Sequence, residues 1–218
     1  MMHPWLVRNR VGPVVAALVA SIGLLGMAVG CGESSVSEPP PSVRSISDPW
    51  QPAPFAVPPE LVTAAVEACR ANRGMLPDGT EPVVADTRGG NAMLIGFAGP
   101  GGEGDCMLRV PPQGRPVVEF GGGGTGEPPR MGPTELRVFS SSTSNVGGGD
   151  AAPGADRGYV VGQVGSAVAQ LQIEVTTGER LQATISSAGW FAAWWPGTAE
   201  FRRAQGFDAA GALVAEAG

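Results

Sequence analysis

The chain has 218 residues, 14 basic against 20 acidic, for a formal net charge of −6. Every basic residue is arginine and the one histidine is His3. Beyond that position this excludes lysine Schiff bases, P-loop lysines, Ser-His-Asp and Cys-His catalysis, and histidine-bound zinc or haem. Carboxylate chemistry, unassisted Ser or Thr, and oxygen ligation of a metal such as calcium remain open. An acidic surface has no attraction for phosphate backbones, so nucleic acid is not expected as a partner, and the composition points to no cofactor.

The first element in chain order is an uncharged apolar run, Val11 to Cys31, which follows Arg8 and Arg10 and ends in Ala28-Val29-Gly30-Cys31. A basic start, an apolar middle and small residues before a cleavage point make a secretory signal over residues 1–30. The last four residues resemble the lipobox of bacterial lipoproteins, with Ala28 where that motif usually carries Leu. The resemblance implies diacylglycerol on Cys31, removal of the preceding peptide, and a fatty-acyl anchor on the extracytoplasmic side of the cell membrane. It implies an address and no activity. The alternative is an uncleaved transmembrane helix. Gly12-Pro13 interrupts the run, however, so the clean helix is Val14 to Val29, roughly 24 Å at 1.5 Å per residue. That is short of a hydrocarbon core of ~30 Å. Removing residues 1–30 leaves twelve basic against twenty acidic residues. Anionic headgroups would repel such a chain, which leaves the lipid as its tether.

From Gly32 to Pro59 the chain is Ser-rich and carries eight prolines, a composition that sits extended and reads as a stalk over 31–59, with Trp50 and Phe55 its only aromatics. Pro58-Pro59-Glu60 opens a helix, with Leu61, Ala65 and Ala68 at three- and four-residue steps and a stop at Asn72 to Gly74. Cys69 lies in its last turn. With Cys31 lipidated, Cys69 and Cys106 form an even pair in an oxidising compartment, read as a disulfide; a reactive thiol or redox pair is the alternative. The bridge would add roughly 4 kcal/mol on a chain-entropy estimate.

Strands are expected at 82–87 and 92–98, joined by Arg88-Gly89-Gly90-Asn91, then at 106–110 after a turn over Gly99 to Asp105. Glu103 and Asp105 among glycines are read as a solvated turn rather than a calcium loop, since they lack the alternating oxygen ligands of an EF-hand. A further strand is expected at 113–120. Gly121 to Gly126 has no lysine and no G-x-G-x-x-G pattern, so it is read as a flexible connection within 121–134, not a phosphate loop. The organisation expected is a small α+β subdomain over 60–120 and a β-sandwich subdomain over 135–218, as one domain or as two with the boundary in 121–134.

After strands at 136–142 and 159–164, Leu171, Ile173 and Val175 alternate with Gln170, Gln172 and Glu174. Thr177-Gly178 turns the chain into a matching run through Leu181, Ala183 and Ile185. Further strands are expected at 190–195, 201–207 and 212–215. The fold class is therefore mainly β, α+β overall: an antiparallel sandwich, immunoglobulin-like in architecture, with one N-terminal helix disulfide-stapled to a sheet. Gly189-Trp190-Phe191-Ala192-Ala193-Trp194-Trp195-Pro196-Gly197 is similar to the tails of secreted bacterial proteins of unknown activity, a resemblance covering about a quarter of the chain and implying no activity.

That aromatic run admits two readings. Trp190 and Trp194 face one way and Trp195 the other, so the three can form a sugar-stacking platform or the core of a strand covered on both faces. Each buried aromatic removes 150 to 250 Å² from water, roughly 4 to 6 kcal/mol as an upper bound, which favours the core. For function, a non-catalytic binding or structural module on a lipid anchor is expected, with a cell-envelope protein or glycan as its partner. A carboxylate-dependent enzyme on glycan is the alternative, using two of Glu60, Glu67, Asp78, Glu81, Asp86, Glu103, Asp105, Glu119 and Glu135. A subunit of a cell-envelope complex is the third.

Overall fold

The computed structural model describes residues 44–72, 74–144 and 156–218, which belong to one packing unit, Ser42–Gly218. The signal and lipobox readings, Cys31 included, lie outside the described residues, as does the first part of the expected stalk.

The helix forms where the prolines predict it. α1 runs Pro59–Ala71, with Pro59 in the first turn, Glu60 at the positive end of the helix dipole and Arg70 in the last turn. It buries Ala65 and Cys69, and Leu61, Val62 and Val66 pack beside them. Among the described residues no helix is long and apolar enough to cross a membrane.

The strands, in chain order, are β1 (Glu81–Thr87), β2 (Ala92–Gly99), β3 (Gly102–Arg109), β4 (Val117–Thr125), β5 (Leu136–Ser144), β6 (Arg157–Val164), β7 (Gln170–Val175), β8 (Arg180–Gln182), β9 (Thr184–Ile185), β10 (Trp190–Pro196), β11 (Phe201–Phe207) and β12 (Leu213–Ala217). They form three four-stranded sheets, ordered β1-β2-β3-β4, β5-β6-β10-β9 and β12-β11-β7-β8, in which every pairing is antiparallel. The turn from β1 to β2 needs positive φ at Gly89, Gly90 and Asn91, residue types that tolerate it.

Side-chain alternation stacks these elements into layers. Met93, Ile95 and Phe97 of β2, with Cys106 and Leu108 of β3, pack against α1. The intervening Ala92, Leu94 and Met107 face the second sheet, where they meet Tyr159 and Val161 of β6 and Trp190, Ala192 and Trp194 of β10. On the far side of that sheet Val160, Phe191, Ala193 and Trp195 pack against Leu171, Ile173 and Ala204 of the third. The middle sheet is thus covered on both faces, and the aromatic run is core. The cover over the Trp190 and Trp194 face comes from the first sheet, chiefly β1 and β2. Residues 180–185 join the second and third sheets at a corner: β8 pairs with β7, β9 pairs with β10, and the Ala183 amide between them donates to Leu171 O at 2.9 Å.

The helix is stapled to the first sheet by Cys69–Cys106, with Cα atoms 6.2 Å apart, within the ordinary disulfide range. Mainly antiparallel β structure, one helix and the disulfide agree with the sequence reading. Two expectations do not hold. Gly121 to Gly124 are strand, paired with β3 from Glu103 to Cys106, and not a connection. The turn before Cys106 is short, because β3 already begins at Gly102, so Glu103 and Asp105 are strand residues. Sheet one packs on sheet two, and residues on both sides of 121–134 belong to one packing unit.

Residues 44–58 also differ from a stalk. Ile46 is buried, and the Gly90 and Asn91 amides donate to Asp48 O and Ile46 O at 2.7 and 2.9 Å. Trp50 Nε1 donates to Trp194 O at 3.4 Å, the two rings 6.5 Å apart and edge to face. Proline-rich chain has few donors but a full set of carbonyls, and here those carbonyls serve the domain. Pro52 O accepts from the Gln182 amide at 3.1 Å and from the Arg88 guanidinium.

Arg88 and Asp86 are both fully buried, 2.7 Å apart from Nε to Oδ2. Arg88 also donates to Gln182 O, and Thr184 Oγ1 donates to Asp86 Oδ1 at 2.5 Å. Removing one partner of such a pair strands the other charge, which costs about 3–5 kcal/mol, whereas replacing both by apolar residues costs far less. Arg88→Met is therefore expected to destabilise the domain by about 3–5 kcal/mol in urea unfolding followed by tryptophan fluorescence. Asp86→Leu/Arg88→Met should lose less than the two single variants together. Strict additivity would show that the pair is not coupled.

Candidate functional site

The site follows from two neighbouring strands of unequal side-chain content. On β3, Glu103, Asp105 and Met107 face the middle sheet while Cys106 and Leu108 face α1. Opposite them, β4 presents Gly122 against Asp105 and Gly124 against Glu103. A side chain at Gly121 would collide with Met75 Sδ at 2.5 Å and one at Gly123 with Pro77 Cδ at 2.6 Å, so those two glycines are dictated by packing on the helix side. At Gly122 a Cβ would meet nothing within 4 Å. The space that a side chain there would fill is instead part of a cavity of about 340 Å³, near the lower end of small-molecule sites.

The opposite wall comes from the middle sheet. A register shift between Val138 and Ser140 puts Phe139 in a β-bulge, and consecutive residues Phe139 and Ser140 both line the cavity. Tyr159 and Val161 of β6 complete that wall. Ser140 Oγ and Tyr159 Oη lie 3.1 Å apart. Phe120 backs the Tyr159 ring at 5.3 Å and Trp190 backs Phe139 at 5.3 Å, so the wall is held by packing rather than by a loop.

Asp105 is 3 % exposed. Burial pushes its carboxyl above the ordinary value, and hydrogen bonding from the Ser140 and Tyr159 hydroxyls offsets part of that. Its Oδ1 receives no hydrogen bond from the protein. Tyr159 is pushed up to about 12, first by burial and then by the Asp105 charge. Such a site offers a carboxyl, two hydroxyls and an aromatic ring in one recess.

Of the residues singled out from sequence, Cys69 and Cys106 are bonded to each other. Trp190, Trp194 and Trp195 are 6 %, 1 % and 1 % exposed, so no stacking platform is presented: both faces of β10 are taken up by neighbouring sheets. Among the nine acids, Glu60, Glu67, Asp78, Glu81 and Glu135 are exposed. Asp86 is committed to Arg88, and Glu119 to Arg157 and Arg109. Glu103 and Asp105 alone among the nine line the cavity. Gly122, Ser140 and Tyr159 were not anticipated. The available clue was parity: once Cys106 faces the helix, Asp105 must face the other way. Among the described residues no group of three or more His, Cys, Asp or Glu is placed to hold a metal. Comparison with protein-family models, with curated proteins and with solved structures returned no match, so the site is read from its own chemistry.

Tyr159 is the one tyrosine in the chain, which makes its ionisation directly visible as phenolate absorbance. The folded hydroxyl keeps its proton from about 10 up to about 12, where an unfolded tyrosine has lost it. Its contribution to stability is therefore complete below about 10 and lost as pH rises through about 12. Asp105→Asn removes the neighbouring charge but not the burial, so the midpoint should fall only part of the way back. An unchanged midpoint would separate Asp105 from Tyr159.

Proposed function

We propose that this chain is a membrane-anchored extracytoplasmic lipoprotein whose Ser42–Gly218 unit is a non-catalytic binding module, with the cavity between β3–β4 and β5–β6 as its binding site. The observation that carries the reading is that cavity: a recess of about 340 Å³ lined by a buried carboxyl with an unpartnered oxygen. Fold stability alone gives no reason to keep such a group. The address is supported by the lipobox-like Ala28-Val29-Gly30-Cys31, and the Cys69–Cys106 disulfide accords with an oxidising compartment. The lack of lysine, and of histidine after His3, favours binding over most catalysis.

A carboxylate-dependent enzyme on glycan is the second reading. It is favoured by Glu103 and Asp105 on one cavity wall and by the raised Asp105 carboxyl, which is what a general acid requires.

Two measurements test the proposal. Cys31→Ser should move the protein from the membrane to the soluble extracytoplasmic fraction, and mass spectrometry should find acyl chains on Cys31. An intact Met1 terminus would overturn the anchor. Gly122→Val suits a strand and projects into the cavity without striking backbone. It should weaken co-sedimentation with isolated cell-envelope material by about tenfold or more, with an unchanged circular dichroism spectrum, while the exposed Glu60→Gln does not. Release of sugar fragments by the protein, abolished in Asp105→Asn, would decide for the enzyme.

A further inference from the structure

Buried carboxylates in this protein follow a pattern with one exception. Asp86 meets Arg88 at 2.7 Å. Glu174 meets Arg203 at 2.6 Å, Arg202 at 2.8 Å and Arg180 at 3.7 Å. Glu119 meets Arg157, and Arg109 at 3.7 Å. Each has a guanidinium because a buried charge without a counter-charge is expensive. Among the described residues Asp105 alone of the buried carboxylates has no cationic partner. It faces two hydroxyls and a cavity, and its Oδ1 is unpartnered. Arginine is used everywhere else, but the residue directly across the ladder from Asp105 is glycine.

We propose that the cavity is a receptor for a primary ammonium group, which supplies from the ligand the counter-charge that the protein supplies to its other buried acids. An ammonium carries three donors and no acceptor. The recess is lined by three residues with oxygen acceptors, the Asp105 carboxyl and the Ser140 and Tyr159 hydroxyls, and by the Phe139 ring. That arrangement suits a compact charge with rotatable donors better than the planar fork of a guanidinium. Aromatic rings favour cations further. Glu103 at the same wall adds attraction, and no basic side chain lines the recess, so an anion is disfavoured. A hard metal ion wants six or more oxygens, and the cavity of about 340 Å³ instead accommodates the organic group that carries the amine.

The inference rests on the cavity being the binding site and adds the chemistry of what enters it. A free amine of this kind comes from two sources, an amino sugar or a peptide terminus. The probes are therefore glucosamine and glycinamide, each paired with its neutral N-acetyl form and titrated by calorimetry against the detergent-extracted protein. At least one free amine should bind, with its acetylated form about tenfold weaker or more, and the stronger of the two names the source. Asp105→Asn, which keeps the shape and removes the charge, should weaken binding by about tenfold or more, and Gly122→Val should abolish it.

The pH dependence gives an independent reading. The titratable groups on the cavity wall are Glu103 and Asp105 from β3 and Tyr159 from β6, while β4 and β5 contribute glycines, Phe139 and Ser140. Tyr159 stays neutral to about 12. Asp105 must lose its proton to pair with an ammonium, so affinity should rise as pH increases through its raised value, as long as the probe amine stays charged.

Equal binding of the acetylated probes, unchanged affinity in Asp105→Asn, or no binding of either amine overturns the proposal. If the amines fail while Gly122→Val still abolishes envelope binding, the ammonium assignment alone falls. If Gly122→Val leaves envelope binding intact, the cavity is not the binding site and the broader reading falls with it.

Discussion

The structure depends on one buried ion pair. Asp86 and Arg88 sit two residues apart at the end of β1, both without exposure, and besides bonding each other they bond to distant parts of the chain. Arg88 holds Pro52 O of the proline-rich segment and Gln182 O at the corner between the second and third sheets. Asp86 accepts from Thr184 on the far side of that corner, and the Trp194 backbone also bonds to it. A guanidinium has donors in a fixed fork, so these acceptors must all arrive in one geometry. Burial raises the Asp86 carboxyl, and Arg88 counters it. The pair adds little net stability over an apolar substitute. What it adds is registration: sheet one, the β8–β9 corner and residues 44–58 agree on one arrangement or leave a charge stranded.

That registration explains why the middle sheet can be apolar on both faces. Trp194 and Trp195 are consecutive, and each is buried in a different interlayer core. A two-layer sandwich would expose one of them. With the helix-bearing sheet locked over Ala192 and Trp194, and the third sheet over Ala193 and Trp195, large rings on both sides become an asset. Each removes 150 to 250 Å² of surface from water. Trp50 extends the same core from outside the sheets, its ring edge against Trp194.

Much of this was legible in the sequence, and what was not has a common cause. Strand positions, the β1–β2 turn, the helix start at Pro59 and the Cys69–Cys106 bridge follow from local alternation, proline and glycine chemistry, and cysteine parity. Those rules concern neighbours in the chain. The third layer, the docking of residues 44–58 and the cavity depend on partners far away in sequence. Glycine was the chief source of error. Gly121 to Gly124 look like a linker because nothing in four glycines announces a strand, yet β3 pairs with each of them. Their weak propensity is overridden by a well-formed neighbour, and by Met75 and Pro77 packing where side chains would otherwise stand. The same misreading placed Asp105 in a solvated turn, when its burial follows from the earlier start of β3.

Asp105 and Cys106 show how tightly the candidate site is tied to the fold. They are consecutive on one strand, so they must point to opposite faces of the sheet. Cys106 is bonded to α1, and Asp105 therefore faces the middle sheet and the cavity. A slip of one residue in β3 would turn the carboxyl into the helix layer, against Ala65 and Phe97, and the cysteine into the recess. Hydrophobic patterning resists such a slip where large side chains interlock, as at Met107 with Phe120 and Leu108 with Val118, but opposite Glu103 to Cys106 the β4 side of the ladder is glycine. There the covalent bond adds to the hold that β2 gives from the other side. The disulfide thus acts together with the β2 pairing and the burial of Met107 and Leu108 on opposite faces to fix which face of β3 carries the acid.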